Sequence, residues 1–388
     1  MKQTEAVAVF DTTLRDGEQA RGASMTLHDK TLIAHALDDA GVNVIEAGFP
    51  VASEESFKAV ELVSTIAQNA TVCAIARATE CDIDAAVQSL ARAKHSRIHT
   101  FIATAKHHME QKLCMSEDDV LERIRSSVMY ARRFVAEVEW TPEIASRSDP
   151  VFLERAIHVA VKAGARIVNV ADTTGYMLPH EYAALIARVV AVTYAYDGVV
   201  VSAHCHDDLG CAVANSLAAL HAGARQVECT VNGIGERAGN AALEEVVVAM
   251  TVRKEMLKLS HTVRTERLAE LSMLVAEASH TPVAYNKAIV GRNAFSHESG
   301  IHQDGVLKSP SLYEEIDPSL VGRTRSLTLG KLSGVAALKH AISELGFSPN
   351  EFLETELRTR FKAFADEHGS VDAPLFARFV AELRGSEK

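Results

Sequence analysis

Phe152-Leu-Glu-Arg-Ala-Ile-His-Val-Ala-Val-Lys-Ala-Gly-Ala-Arg-Ile-Val-Asn-Val-Ala-Asp172-Thr173 contains one full structural period of this chain. Phe152 to Ala163 carries the apolar spacing of an amphipathic helix, and Arg166 to Ala171 is a short β-branched run that reads as a strand. Two polar residues, Asp172 and Thr173, follow at once. The same unit recurs in both directions from about residue 7 to residue 250. Candidate strands run from Val7 to Thr13, Val44 to Phe49, Thr71 to Ala76, Arg97 to Ala103, Ala136 to Thr141, Arg166 to Ala171, Val199 to His204 and Gln226 to Val231, with helix patterns such as Leu27 to Ala40 between them. Eight strand–helix units over roughly 250 residues predict an α/β fold, a (β/α)8 TIM barrel. A doubly wound open sheet is the alternative.

The polar residues argue for closure. Most strands end in side chains capable of chemistry: Arg15-Asp16, Glu46, Arg77, His99, Glu143, Asp172-Thr173, His204-Cys-His206 and Asn232. A barrel gathers all such ends at one mouth, whereas an open sheet brings only a few together. After about residue 260 the strand rhythm stops. A helical stretch from Thr265 to Ser279 leads to a polar segment, Asn293 to Gly305, and then to helix patterns at Val335 to Leu345, Asn350 to His368 and Ala373 to Leu383. The expected division is a catalytic barrel over 1–275 and a C-terminal helical subdomain over 276–388.

The 388 residues are 47% hydrophobic with a formal charge of -11, enough chain to bury a large core and no basic footprint for nucleic acid. No apolar run approaches the length of a membrane span. The start of the chain, Met1 to Glu5, lacks the apolar centre of a signal peptide. The six cysteines have no CxxC spacing and read as reduced thiols of a cytoplasmic protein, several of them in buried strands.

Four segments carry candidate chemistry. Phe10-Asp-Thr-Thr-Leu-Arg-Asp-Gly-Glu-Gln19 ends the first strand with Arg15 beside Asp16. The bland alternative is a surface ion pair; the strand leading into it and the glycine after it favour an active site. In His204-Cys-His-Asp-Asp208, two histidines at i and i+2 on a strand point the same way and can grip one ion. With Asp16 and Asn240 in reach, mixed imidazole and oxygen ligands suit Mg, Mn or Zn. Asn232-Gly-Ile-Gly-Glu-Arg-Ala-Gly-Asn240 offers glycines for close backbone approach but is no P-loop. His297-Glu-Ser-Gly-Ile-His302-Gln-Asp304 reads equally well as a solvated surface loop or as a functional one.

Taken together, DTTLRDGEQ, HCHDDLG, NGIGERAGN and SGIHQDG resemble the family of 2-isopropylmalate, homocitrate and citramalate synthases, from about residue 8 to residue 345. The resemblance implies a condensation of acetyl-CoA with a 2-oxo acid. Asp16, His204 and His206 would ligate a divalent metal, with Asn240 as a further ligand. The metal would chelate the keto oxygen and carboxylate of the 2-oxo acid. Arg15 would stabilise developing negative charge, Glu143 and His302 would serve acid–base steps, and Thr173 would hold the substrate carboxylate. Homodimers are implied too, with the helical subdomain covering the partner's barrel mouth, so that His302 would act across the interface.

The segments Glu46 to Pro50, Arg97 to Thr104 and Ser299 to Lys308 resemble the 2-isopropylmalate synthases most. Ile75, His99, Phe101 and Thr141 would line the side-chain pocket, and Glu139 replaces the arginine that lysine-pathway homocitrate synthases hold there. That favours 2-oxoisovalerate over 2-oxoglutarate. Ala171-Asp-Thr173 and Ser326 to Gly334 resemble homocitrate synthases instead. With the chain ending at Lys388, no leucine-binding regulatory domain, and no remote inhibition by leucine, is expected. Two other classes fit the sequence less well. Hydroxymethylglutaryl-CoA lyases carry a cysteine in the glycine loop, which residues 232–240 lack; a non-catalytic barrel would not need acid–base groups at so many strand ends.

Overall fold

Runs such as Val-Ile-Glu-Ala-Gly and Ile-Val-Asn-Val-Ala-Asp bury both faces, which a strand does when helices cover one side and a barrel interior the other. In the computed structural model, which describes residues 4–369 and 371–385, eight such strands close into a parallel barrel. They are β1 (Ala8–Asp11), β2 (Val44–Gly48), β3 (Thr71–Arg77), β4 (Ser96–Ala103), β5 (Glu137–Glu143), β6 (Ile167–Asp172), β7 (Val200–Cys205) and β8 (Gln226–Cys229). Closure is direct: Phe10 pairs with Val44 on one side and Glu228 on the other. The observed strands match the expected ones to within a residue or two. β5 runs on to Glu143, and the first and last end earlier, where the chain turns out of the sheet.

The covering helices are α1 (Leu27–Ala40), α2 (Glu54–Ile66), α3 (Glu80–Ser89), α4 (Glu117–Ala131), α5 (Pro150–Ala163), α6 (Pro179–Thr193), α7 (Ala212–His221) and α8 (Leu243–Val252). Their starts are encoded locally. Thr26 and Ser116 form capping boxes with Asp29 and Asp119, each satisfying two backbone donors. Asp149 caps α5 ahead of Pro150, which starts that helix two residues before the apolar pattern does. Cys73, Cys205 and Cys229 are buried in strands, as expected, while Cys81 and Cys114 are exposed. No helix among the described residues is long and apolar enough to cross a membrane.

The chain separates into two compact units between Val283 and Ala284. Helix α9 (Leu268–Ala278) belongs to the barrel unit. The second unit is more than a helical appendage. It has its own apolar core, in which Leu338, Leu357, Phe361, Phe376 and Phe379 are buried, and a short parallel strand pair, Ser296–His297 with Ser326–Leu327. Its helices are α10 (Gly300–Lys308), α11 (Val335–Glu344), α12 (Glu354–His368) and α13 (Ala373–Gly385). The histidine-rich segment read as a loop is therefore in part helical, with Gly300 as the first residue of α10.

One contact holds the barrel wall in register beyond its ladder. The Asp38 carboxylate on α1 accepts hydrogen bonds from the backbone N–H groups of Gln68, Asn69 and Ala70, just before β3. Asp38→Ala leaves these donors facing a gap and should cost about 3 kcal/mol. Urea denaturation measures this; a loss under about 1 kcal/mol would mean that water replaces the carboxylate without penalty.

Candidate active site

Side chains alternate along a strand, so one parity of each barrel strand faces inward. Here the inward set is mixed: beside an apolar cluster of Phe10, Val44 and Cys73 stands a large polar group. Glu46 on β2, Arg97 and His99 on β4, Glu139 and Thr141 on β5, Asn169 on β6, His204 on β7 and Gln226 and Glu228 on β8 are all buried. Ordinary barrel interiors are dominated by branched apolar residues. This one is a hydrogen-bonded column that leads up to the C-terminal mouth.

At the mouth the chain leaves β1 through a tight turn, in which the N–H groups of Arg15 and Gly17 donate to the Thr12 carbonyl. The turn sets Asp16 opposite His204 and His206. Asp16 Oδ2 lies 3.9 Å from Nε2 of each ring, and the rings themselves stand 4.9 Å apart. The backbone of His204 is fixed from outside the barrel, where the Tyr182 hydroxyl accepts its N–H and donates to the Val170 carbonyl. Asn240 donates its amide N–H to Asp16 Oδ1 at 2.9 Å, and its own Oδ1 has no protein partner, nor has Nδ1 of buried His206. Glycine is required for this approach: a Cβ at Gly235 would sit 2.1 Å from Asn240 Nδ2.

The electrostatics suit a cation. Burial pushes both histidines down to about 4, so they are neutral ligands near pH 7. For Asp16, burial opposes ionisation, but Arg15 and the two histidines prevail and hold its carboxyl well below the usual range. One carboxylate and two neutral imidazoles within 4.8 Å of one another make a donor set for a divalent metal. The bare Asn240 oxygen adds a polar atom for which the protein supplies no donor.

Arg15 is held by two carboxylates, with Nε 2.6 Å from Glu46 Oε2 and Nη1 2.6 Å from Asp16 Oδ2. Glu46 is wholly buried, yet Arg15 and His99 overcome the cost of burial and keep its carboxyl at about 2. His99 extends the chain of contacts, with Nδ1 2.8 Å from Glu46 and Nε2 2.6 Å from the Thr141 hydroxyl, which also accepts from Asn169. Deeper down, burial raises Glu139 and Glu228 to about 7, with Arg97 opposing the rise at Glu139.

Above the column opens a cleft with a cavity volume of about 220 Å³. Arg15, Asp16, His204 and His206 line it, as do Ile75, His99, Phe101, Thr141, Glu143 and Thr173. Thr173 and Glu143 are tied together through Ile144. The Ile144 N–H donates to Thr173 Oγ1, from a left-handed backbone at φ 58° and ψ 46°. A β-branched residue in that region is strained. Lys112 holds the Glu143 carboxylate at 2.9 and 3.0 Å.

His302 lies in the second unit, exposed on α10, stacked on Tyr313 at 4.3 Å and 6.1 Å from His297. His297 in turn meets Glu314, which Arg325 also binds. Three strand-end residues do not join the site. Asp172 is buried and accepts the Met177 N–H. Arg77 turns away to Asp82 on α3, and Asn232 donates its amide to the Ser272 carbonyl on α9. Residues passed over as site candidates are Asn169, Glu228 and Arg237. Arg237 clamps the Thr173 carbonyl and Asp208 at 2.7 to 2.9 Å. It was visible inside the glycine loop, and period-two counting back from Ala171 reaches Asn169.

Comparison with known proteins accords with this geometry. Residues 6–275 match the HMGL-like family and residues 289–369 match a homocitrate synthase post-HMGL domain-like family. A 2-isopropylmalate synthase from a Bradyrhizobium species is 50% identical over 363 residues, covering 93% of this chain and 69% of that protein. The 2-isopropylmalate synthase of Carboxydothermus hydrogenoformans is 49% identical over 382 residues, covering 98% and 75%. Among solved structures, an HMG-CoA lyase from Bacillus subtilis superposes with a TM-score of 0.61 at 19% identity, covering 80% of this chain and 100% of that one. The Pseudomonas aeruginosa hydroxymethylglutaryl-CoA lyase gives 0.61 at 22% identity, covering 76% and 98%; these two bear on the fold alone. The chain belongs to the HMGL-like family, and within it to the family of the 2-isopropylmalate synthases.

Proposed function

We propose that this protein is an acyltransferase that condenses acetyl-CoA with 2-oxoisovalerate to give 2-isopropylmalate and CoA, as a cytoplasmic homodimer serving leucine biosynthesis. The observation that carries the reading is the cleft itself, where the Asp16–His204–His206 set adjoins a wall containing Ile75 and Phe101. A divalent cation on that set, Mn, Mg or Zn, supplies Lewis-acid polarisation of a 2-oxo acid's carbonyl.

The chain's own groups do the rest. Arg15, locked by Glu46 and Asp16, presents a fixed positive charge where the keto oxygen gains negative charge. The Thr173 hydroxyl accepts from Ile144, which leaves its own O–H to donate to the substrate carboxylate. Glu143 removes a proton from the acetyl methyl group, the enolate carbon so formed attacks the keto carbon to make the new C–C bond, and His302 gives a proton to the alkoxide left on that carbon. Water then hydrolyses the thioester. Ile75 and Phe101 bury the isopropyl group, worth about 0.8 kcal/mol per CH2.

Homocitrate formation from 2-oxoglutarate is the second reading. The polar His99, Thr141 and Asn169 in the same cleft favour it. Against it, among the described residues the cleft's own cations are already paired, Arg15 with Glu46 and Asp16 and Arg237 with Asp208; the deeper Arg97 is committed to Glu137, Glu139 and Gln226, and Glu139 takes the place of an arginine.

CoA release with a panel of 2-oxo acids separates the two. The expected kcat/KM is higher for 2-oxoisovalerate than for 2-oxoglutarate; the reverse order replaces the first reading with the second. For the metal set, His206→Ala should lose bound metal by elemental analysis while its far-ultraviolet circular dichroism stays that of the parent. A variant that retains metal and full activity would remove the set from the mechanism. For His302→Ala, turnover should fall about 10²- to 10⁴-fold with 2-oxo acid binding nearly intact by calorimetry. Unchanged turnover would leave His302 only its stacking on Tyr313.

A further inference from the structure

The ring of His204 is held between two carboxylates. Its Nε2 faces Asp16 Oδ2 at 3.9 Å, and its Nδ1 lies 2.8 Å from Oε2 of Glu228. Glu228 sits on β8 inside the barrel and is 1% exposed. Neither of its oxygens has a well-aligned hydrogen-bond partner, so the 2.8 Å approach is a close contact of charge with ring rather than a finished hydrogen bond. His206 differs, since its Nδ1 has no partner at all. The two histidines are therefore not equivalent.

A neutral imidazole carries one proton, and the ring nitrogen without it is the one that can bind a cation. A carboxylate beside Nδ1 draws the proton there and leaves the lone pair on Nε2, aimed at Asp16.

We infer that Glu228 is a positioning residue that fixes the tautomer and orientation of His204 and so sets the affinity of the Asp16–His204–His206 set for a divalent cation. The inference rests on the metal reading given above. Glu228 touches no substrate in this scheme and acts only through the ring. Loss of such an outer partner typically weakens metal binding 10- to 100-fold.

The test is metal affinity, measured on the full chain with Mn²⁺ and with Zn²⁺ by competition against a chromophoric chelator, beside the thermal midpoint of the metal-free protein. Glu228→Gln keeps the shape and removes the charge. Its dissociation constant is expected to rise about 10- to 100-fold, while the metal-free midpoint changes little. A constant within twofold of the parent's overturns the inference, because a neutral side chain would then serve as well. A lower midpoint with unchanged affinity also overturns it, as that is the mark of a purely structural role. Should Glu228→Gln not fold, Glu228→Asp keeps the charge one methylene further from the ring, and a smaller loss of affinity is expected. A parent that binds neither ion fails the metal reading itself; a parent that binds both while the variants match it fails this inference alone.

Discussion

The ion pair between Arg15 and Glu46, 2.6 Å long and inside the barrel, is the contact on which the mouth depends. A charge buried there is expensive unless it is matched, and removing one partner strands the other at roughly 3–5 kcal/mol. Glu46 is matched several times over, by Arg15, by the Thr12 hydroxyl and by His99. Each of these partners has a second task. Thr12 receives the N–H of Asp16 on its hydroxyl, Arg15 reaches Asp16, and His99 reaches Thr141. One carboxylate therefore orients Asp16, the Arg15 guanidinium and part of the cleft wall.

This makes the barrel interior a functional element in its own right. Layers of Val, Ile and Leu would give more apolar burial and would hold nothing in place at the mouth. A polar column gives up some of that stabilisation and returns rigidity where its members are hydrogen-bonded to neighbours on other strands. Arg97, for example, joins β4 to Glu137 and Glu139 on β5 and to Gln226 on β8. The apolar contribution comes instead from the outward parity, where Trp140, Ile98 and Val168 lie buried beneath the helices.

The fold was legible because its signals are local. Period-two and helical spacing, caps and strand-end polarity all lie within a few residues of one another. The pairing of His204 with His206 was legible for the same reason. What escaped depends on distant partners. The Asn232 amide is drawn to Ser272, 40 residues away, while Arg77 is turned aside by Asp82, only five residues on, through a side-chain pairing that strand spacing does not announce. Glu228 follows the inward parity, but nothing in the sequence says that it meets His204 and not solvent. The left-handed turn at Ile144 has no sequence signature, because isoleucine is a poor choice for that backbone.

That turn has a consequence for how the site can change. Glu143 precedes Ile144, and Thr173 is bonded to its N–H, so a single pair of torsions places both the Glu143 carboxylate and the Thr173 hydroxyl at the cleft. The two cannot drift independently: any relaxation that releases one displaces the other. Ile75, Phe101 and Ala171 border the same cleft and take no part in that link. The strained residue couples two cleft groups and leaves the neighbouring lining side chains uncoupled from them.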